Sequence, residues 1–310
     1  MNTLSHTLAG LKLGKTAVFQ NLAVVPLLAD ADAGADYLTL DEALESGAAR
    51  ITEVSESGSV PELSFVNESD RKILLVDGEE LVGARQNRIL NLTILVGMRQ
   101  KVVIPVSCVE RGRWSYRSRE FGSAKRSLYA NARAAKMRDI SSGMREYGSR
   151  ASNQQRVWES IERKQRAMEV DSPTEAMSDI YAHREEDLAS YETAFEVQPG
   201  QVGAVFAING KVRGVELFDS AATFAKFMRK VLGSYALDAV EETAPGATKP
   251  LKEVDVRAFL ARLQEAPESR FAALAEGEDV RFEGEGTAAA ALVVDAKVVH
   301  LAGFAMPERV

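Results

Sequence analysis

Short apolar runs, some alternating and some continuous, dominate the first third of the chain. Residues 19–28 alternate loosely and predict a strand, while residues 40–49 carry helical spacing. Residues 50–54 and 62–66 predict short strands parted by the Ser55-Glu56-Ser57-Gly58-Ser59 turn. Residues 72–76 read as a buried strand, Asp77-Gly78 as a hairpin-type turn, and residues 89–96 and 102–109 as two more strands rich in Val, Ile and Leu. Connections this short leave no room for crossover helices, so the pairing is expected to be antiparallel or mixed.

The middle changes period. Residues 124–137 are helix-compatible, and Ser152 followed by Gln155 fits a capping box ahead of a helix bearing Val157, Trp158, Ile161 and Met168. Ser172-Pro173-Thr174-Glu175 fits a second box, with Met177, Ile180, Tyr181, Leu188 and Tyr191 on the stripe that follows. In the last third, residues 202–208 and 212–218 flank Asn209-Gly210, the strongest hairpin signal in the chain. A helical stripe follows (Phe224, Phe227, Met228, Val231, Tyr235), then a surface loop over residues 241–250. A helix around Val256–Leu263 and strands near residues 280–282, 289–294 and 298–304 complete the pattern. Strands, then helices, then a mixture predict an α+β fold with a mixed or mainly antiparallel β-rich core and a helical middle segment. The expected organisation is one domain over residues 10–305, made of a β-rich part (15–114), a helical segment (120–194) and a mixed part (200–305).

Charge and composition narrow the function classes. The net charge of −7 does not draw the molecule as a whole to nucleic acid or anionic lipid. A single cysteine forms no internal disulfide, and three dispersed histidines (His6, His183, His300) offer no metal-ligand spacing. Neither a leader-like start nor a membrane-length apolar run of about 18 residues is visible, so the expected location is the cytoplasm.

The candidate chemistry concentrates between residues 77 and 114. Asp77, Glu79 and Glu80 form a three-carboxylate turn able to hold a general base or a divalent cation such as Mg²⁺; the plain alternative is a solvated hairpin tip. Gln86, Asn87 and Arg88 place two amides and a guanidinium before a buried strand, the groups that recognise ribose hydroxyls and phosphates, or else cap strand ends. Cys108 reads as a small buried hydrophobe, because a neighbouring carboxylate and the absence of a nearby histidine disfavour a thiolate. Glu110 sits at a strand end before Arg111, Arg113 and Trp114. From residue 99 to 138 there are eleven Lys/Arg against two Glu, interleaved with Trp114, Tyr116, Phe121 and Tyr129. That reversal predicts an electropositive, aromatic-bearing face, or a solvated helix face paired to the acidic remainder. The glycine-rich hairpin at residues 200–218 is neither a P-loop nor a Rossmann fingerprint; Glu216 and Asp219 are secondary candidates.

Three stretches together carry a resemblance: Gly78-Glu79-Glu80-Leu81 with Gly83 and Gln86-Asn87-Arg88; Pro105 through Glu110 with Gly112 and Trp114; and the hairpin at residues 200–218. They are similar to the ARG (ADP-ribosylglycohydrolase) and rhodanese-phosphatase-superfamily-associated protein domain family, over roughly the whole of residues 10–305. The resemblance implies a role around NAD-derived nucleotides such as ADP-ribose and its phosphates, in the company of ADP-ribose-processing enzymes. It supplies no catalytic residues.

The reading of the residues is a polar site that binds, and in an enzymatic version hydrolyses or modifies, an ADP-ribose-like nucleotide. Glu79, Glu80 and Glu110 are the candidate acid/base or cation-binding carboxylates, with no cofactor identified and Mg²⁺ or Ca²⁺ open as the cation. Gln86, Asn87, Arg88, Arg111, Arg113 and Trp114 are the ligand-binding set. Three alternatives stay open: a non-catalytic nucleotide sensor or sequestering module on the same residues, a nucleic-acid-binding protein using residues 99–138, and a scaffold whose polar cluster is a homo-oligomer interface.

Overall fold

The computed structural model describes residues 3–30, 36–55, 59–243 and 249–306. The expected turn at residues 56–58 and the loop at residues 244–248 lie outside the described residues. The architecture is α+β, with mainly antiparallel sheets and a run of helices in the middle of the chain. The chain divides into two compact units: residues 1–35, 187–273 and 277–310 form the first, and residues 36–186 with 274–276 the second.

The first unit is built on a nine-stranded antiparallel sheet. Its strands are β1 (Lys12–Leu13), β2 (Ala17–Phe19), β3 (Leu22–Leu28), β13 (Gln201–Ile208), β14 (Lys211–Phe218), β15 (Glu268–Ala272), β16 (Glu278–Gly284), β17 (Thr287–Val294) and β18 (Lys297–Ala305). Asn209 and Gly210 both take positive φ, 52° and 73°, as a two-residue hairpin turn needs to match strand twist. A Cβ on Gly210 would also come within 2.5 Å of the Lys249 carbonyl oxygen. Alternation then sorts the faces. Val205, Val215 and Leu217 pack in a cluster with α1 (Thr3–Ala9) and α8 (Glu253–Glu265). On the opposite face, α7 (Ala221–Glu241) stacks Tyr235 on Phe206 at 4.2 Å and Phe227 on Phe218 at 4.9 Å between ring centroids. The Ser220 hydroxyl caps α7 by accepting from the Thr223 N–H at 3.0 Å.

The second unit holds a three-stranded sheet and a six-stranded one. The smaller pairs β7 (Lys72–Leu75) antiparallel to β10 (Ile94–Val96) and parallel to β4 (Tyr37–Thr39). The larger runs in the order β12 (Phe121–Ser127), β8 (Glu79–Gly83), β9 (Arg88–Leu90), β11 (Lys101–Cys108), β6 (Glu62–Asn67) and β5 (Ala49–Glu53). Its two end strands, β12 and β5, come into contact, so the sheet curls into a partly closed barrel. Leu63, Phe65, Ile104, Val106 and Cys108 fill its inner face, whereas Val103, 47% exposed, points outward. Four helices accompany it: α3 (Ala130–Tyr147), α4 (Gln154–Ala167), α5 (Met177–His183) and, before β5, α2 (Leu40–Glu45), which opens on a full capping box between Thr39 and Glu42.

Several local expectations are corrected. Asp77-Gly78 does not close a hairpin, because β7 and β8 belong to different sheets. Residues 89–96 form two strands, β9 and β10, which go to different sheets: β9 pairs with β11 and β10 with β7. Residues 124–127 are the end of β12 rather than helix: pairing with β8 overrides helical propensity. The cap of α4 is Asn153, not Ser152, whose hydroxyl instead meets Ser107 Oγ at 2.5 Å. Residues 172–176 are a turn and α5 begins at Met177. The single expected stripe splits into α5 and α6 (Glu185–Ala194), and Arg184 ends the first of them.

Candidate functional site

The β8–β9 and β11–β12 loops and the end of β5 lie at one end of the barrel, because Glu53, Gly83, Arg88, Cys108 and Phe121 are all at strand ends that register brings to that side. Loops at the mouth of a small barrel are a common place for a ligand site. The two segments richest in polar groups lie against one another here. Arg113 donates to the Ala84 carbonyl at 2.7 Å, to Ser115 O at 2.8 Å, to Asn87 Oδ1 at 3.2 Å and to Glu110 Oε2 at 2.6 Å. Ala84 holds φ at 37°, a left-handed conformation that costs a non-glycine residue on the order of 1 kcal/mol, and Arg113 pins it there.

Glu110 is buried and fully engaged. Besides Arg113, it accepts from the Asn87 N–H at 3.1 Å and from the Thr174 hydroxyl at 3.1 Å. Burial alone would raise its pKa, but the hydrogen bonds from Arg113, Asn87 and Thr174 overcome that and hold the carboxyl below its ordinary value. Gly112 makes this junction possible: its N–H donates to Thr174 O at 2.8 Å, and a Cβ there would come within 2.9 Å of the Thr174 backbone. Glu110 and Arg113 are therefore the frame of the β8–β9 and β11–β12 loops. The same frame uses the Asn87 side chain and backbone.

The other carboxylates go elsewhere. Glu79 turns back to accept the Val76 N–H at 2.7 Å. Asp77 is a buried ion-pair centre, bound by Lys136 and by Arg133 Nε at 3.4 Å, rather than a solvated turn tip. Glu80 is opposite Ile89 in the β8–β9 ladder, and Leu81 is opposite Arg88. Paired residues share a face, so Glu80 and Arg88 point to opposite faces of the sheet. Glu80 faces outward under the helical segment, where Arg126 Nε lies 3.4 Å from Oε2 and a bulge in β12 brings it there. Neither Glu80 oxygen closes a hydrogen bond of good geometry, although the nearby Asn87 amide favours ionisation. Burial raises its pKa to about 7, against the pull of Arg126.

On the inner face, Arg88 is fully buried beside Gln86 and Cys108. Its Nη1 donates to Gln86 Oε1 at 3.0 Å, and Cys108 Sγ donates to the same oxygen at 3.2 Å. Arg88 Nε and Nη2 have no hydrogen-bond partner among the described residues. Burial pulls the Arg88 pKa below its ordinary value and pushes the Cys108 thiol up, so the thiol stays neutral as expected for a small buried hydrophobe. Trp114, 46% exposed, spans the rim with its ring centroid 5.9 Å from the Arg88 guanidinium and 5.5 Å from that of Arg85. Arg85 also lies 4.4 Å over Tyr116. Arg111 is exposed, 5.4 Å over the Trp158 ring and 3.7 Å from Glu175.

The basic run does not form one open face. Arg113, Arg133 and Lys136 are buried in ion pairs, Arg99 pairs with Asp70 at 2.8 Å, and Lys125 with Glu45 at 2.5 Å. In the first unit, Glu216 is buried 3.1 Å from His300 Nε2 and 3.5 Å from the Tyr235 hydroxyl, while the Asp219 N–H donates to Val299 O at the end of β14. Among the described residues no cluster of three or more His, Cys, Asp or Glu is arranged to hold a metal ion. No described helix is long and apolar enough to cross a membrane.

Sequence reasoning did not single out Glu53. Both of its carboxylate oxygens are shut off from solvent and lack a hydrogen-bond partner among the described residues. The available signal was its phase: Ala49, Ile51 and Glu53 alternate onto one face, and that face is the barrel interior.

A family model matches residues 10–304, that of the ARG and Rhodanese-Phosphatase-superfamily-associated Protein domain. No curated protein and no solved structure gives a significant match.

Proposed function

The chain belongs to that family, whose name associates its members with ADP-ribosylglycohydrolases and rhodanese-phosphatases, and on that footing we propose that it binds a cytoplasmic NAD-derived nucleotide of the ADP-ribose class at the barrel mouth. One observation carries the reading. Arg88 is a wholly buried guanidinium whose Nε and Nη2 have no partner among the described residues. Those two N–H groups form one edge of the guanidinium, the edge that takes two oxygens of a single phosphate. A buried charged donor without a partner is costly, and an anion relieves that cost.

The surroundings suit the rest of such a ligand. Trp114 and Tyr116 offer exposed ring faces beside Arg85, suited to a planar base. Gln86 orients Arg88, and Arg111 adds positive charge from the rim. Asn87, Glu110 and Arg113 hold the loops that carry these groups. Glu79 and Glu80 do not face the mouth, so hydrolysis of a glycosidic or phosphoester bond there would draw on other groups than those two.

The test is calorimetry and thermal denaturation with ADP-ribose, its phosphates and NAD, with and without Mg²⁺, alongside chromatography for products. Saturating ligand at 100 times its dissociation constant should add about 2.7 kcal/mol of stability. No binding at millimolar concentration would sink the nucleotide reading. Binding without product would make the protein a sensor or sequestering module.

A further inference from the structure

Register places Glu53 and Arg88 on one surface. Glu53 is opposite Leu63, Leu63 is opposite Ile104, and Ile104 alternates through Val106 to Cys108, which is opposite Arg88. All six residues therefore point into the barrel. Glu53 and Arg88 are near enough for the carboxylate charge to act on the guanidinium, yet they form no ion pair. Each keeps its best hydrogen-bonding edge unused: both oxygens of Glu53, and Nε with Nη2 of Arg88. These are complementary groups, their unused polar atoms shut off from solvent on a common interior face, and one molecule carrying both an anionic group and hydroxyls would satisfy both.

Resting on the nucleotide reading, we infer that Glu53 recognises the vicinal hydroxyls of a ribose whose phosphate is held by Arg88. The chemistry is specific to that class. An ionised carboxylate only accepts, through two oxygens, and two hydroxyls on adjacent carbons can donate one O–H to each. A guanidinium only donates, and its Nε–Nη2 edge fits two phosphate oxygens side by side. A ribose phosphate supplies both partners, whereas a deoxyribose phosphate leaves one Glu53 oxygen without a donor. A bare phosphate leaves both unfilled. A site built to hydrogen-bond a hydroxyl rejects the analogue that lacks it, since its own buried group is then unpaired.

The experiment compares affinity for ADP-ribose, its 2″-deoxy analogue, ribose 5-phosphate and 2-deoxyribose 5-phosphate. It uses the full chain and its Glu53→Gln, Glu53→Ala and Arg88→Met variants. Wild type should prefer each ribose ligand to its deoxy counterpart by about 10- to 100-fold. Glu53→Ala should bring that ratio to about threefold or less while binding of the deoxy ligands stays near wild type, and Glu53→Gln should fall between. Arg88→Met should weaken ribose and deoxyribose ligands alike. If ADP-ribose binds but wild type does not discriminate, or Glu53→Ala keeps the discrimination, the diol assignment is overturned and nucleotide binding stands. If no ligand binds to wild type, both fall together. Should Glu53→Ala fail to fold, the wild-type ratio and the shape-preserving Glu53→Gln still decide.

Discussion

Glu80 and Arg88 sit on neighbouring antiparallel strands one register step apart, and that step sends their side chains to opposite faces of the sheet. Arg88 looks into the barrel, and Glu80 is sealed beneath the helical segment with Arg126 3.4 Å away. One residue of parity thus separates a candidate anion anchor from a carboxylate that titrates near neutrality.

The stability of the protein should depend on pH through Glu80. In the unfolded chain this carboxyl ionises near 4.5; in the folded protein burial delays ionisation to about 7. Between those values only the unfolded state gains by losing the proton, so stability falls as pH rises through the window and levels off above it. Glu80→Gln removes the titration. The variant should match wild type near pH 4.5 and exceed it by on the order of 3 kcal/mol at pH 8. Urea unfolding of both proteins from pH 5 to 8 measures the difference. A constant gap across the range would place the titrating group elsewhere.

Two buried arginines should respond in opposite ways to the same substitution. Arg113→Met strips Glu110 of its main counter-charge and frees the strained Ala84 carbonyl, at a cost of about 3–5 kcal/mol. Arg88→Met removes a guanidinium that is only half satisfied, so it should be neutral or stabilising without ligand while abolishing ligand binding. Melting curves without and with ADP-ribose separate the structural arginine from the binding one. Equal destabilisation by both substitutions would contradict the division.

Asp77 should behave as a structural centre, not as part of the ligand site. Asp77→Ala takes a buried carboxylate away from both Lys136 and Arg133, a loss of about 3–5 kcal/mol. Double-mutant cycles between Asp77 and Lys136 should give strong coupling. Ligand affinity of any variant that folds should stay within about threefold of wild type.

Trp114 should report the ligand. The chain has two tryptophans, so a Trp158→Phe background isolates its fluorescence. A base stacked at the rim should quench or shift that emission on titration with ADP-ribose, and Trp114→Ala should weaken binding by about 1–3 kcal/mol. Binding of full strength by Trp114→Ala would show that the ring is a cover and not a platform.

The Asn209-Gly210 hairpin, the Phe224–Tyr235 stripe and the α+β class were written locally. A turn that needs two positive φ angles, or a face repeated every 3.6 residues, is encoded within the segment that forms it. The polar richness of residues 77–114 was equally plain, and its two halves do meet through Arg113. What the segment could not encode is which neighbour each polar group finds. Arg88 and Arg113 are chemically the same side chain, yet both terminal nitrogens of Arg113 are taken up by carbonyls, Asn87 and Glu110 while Arg88 keeps its whole Nε–Nη2 edge without a partner among the described residues, because loops distant in sequence converge on Arg113. Residues 172–176 spell a helix start but dock on Glu110 and Gly112 instead, a contact the capping pattern does not contain. Glu53 looked like an ordinary charged residue at the end of a short strand. Curling of the sheet turned its face inward, onto the same interior surface as Arg88, and that closure is a property of six strands together.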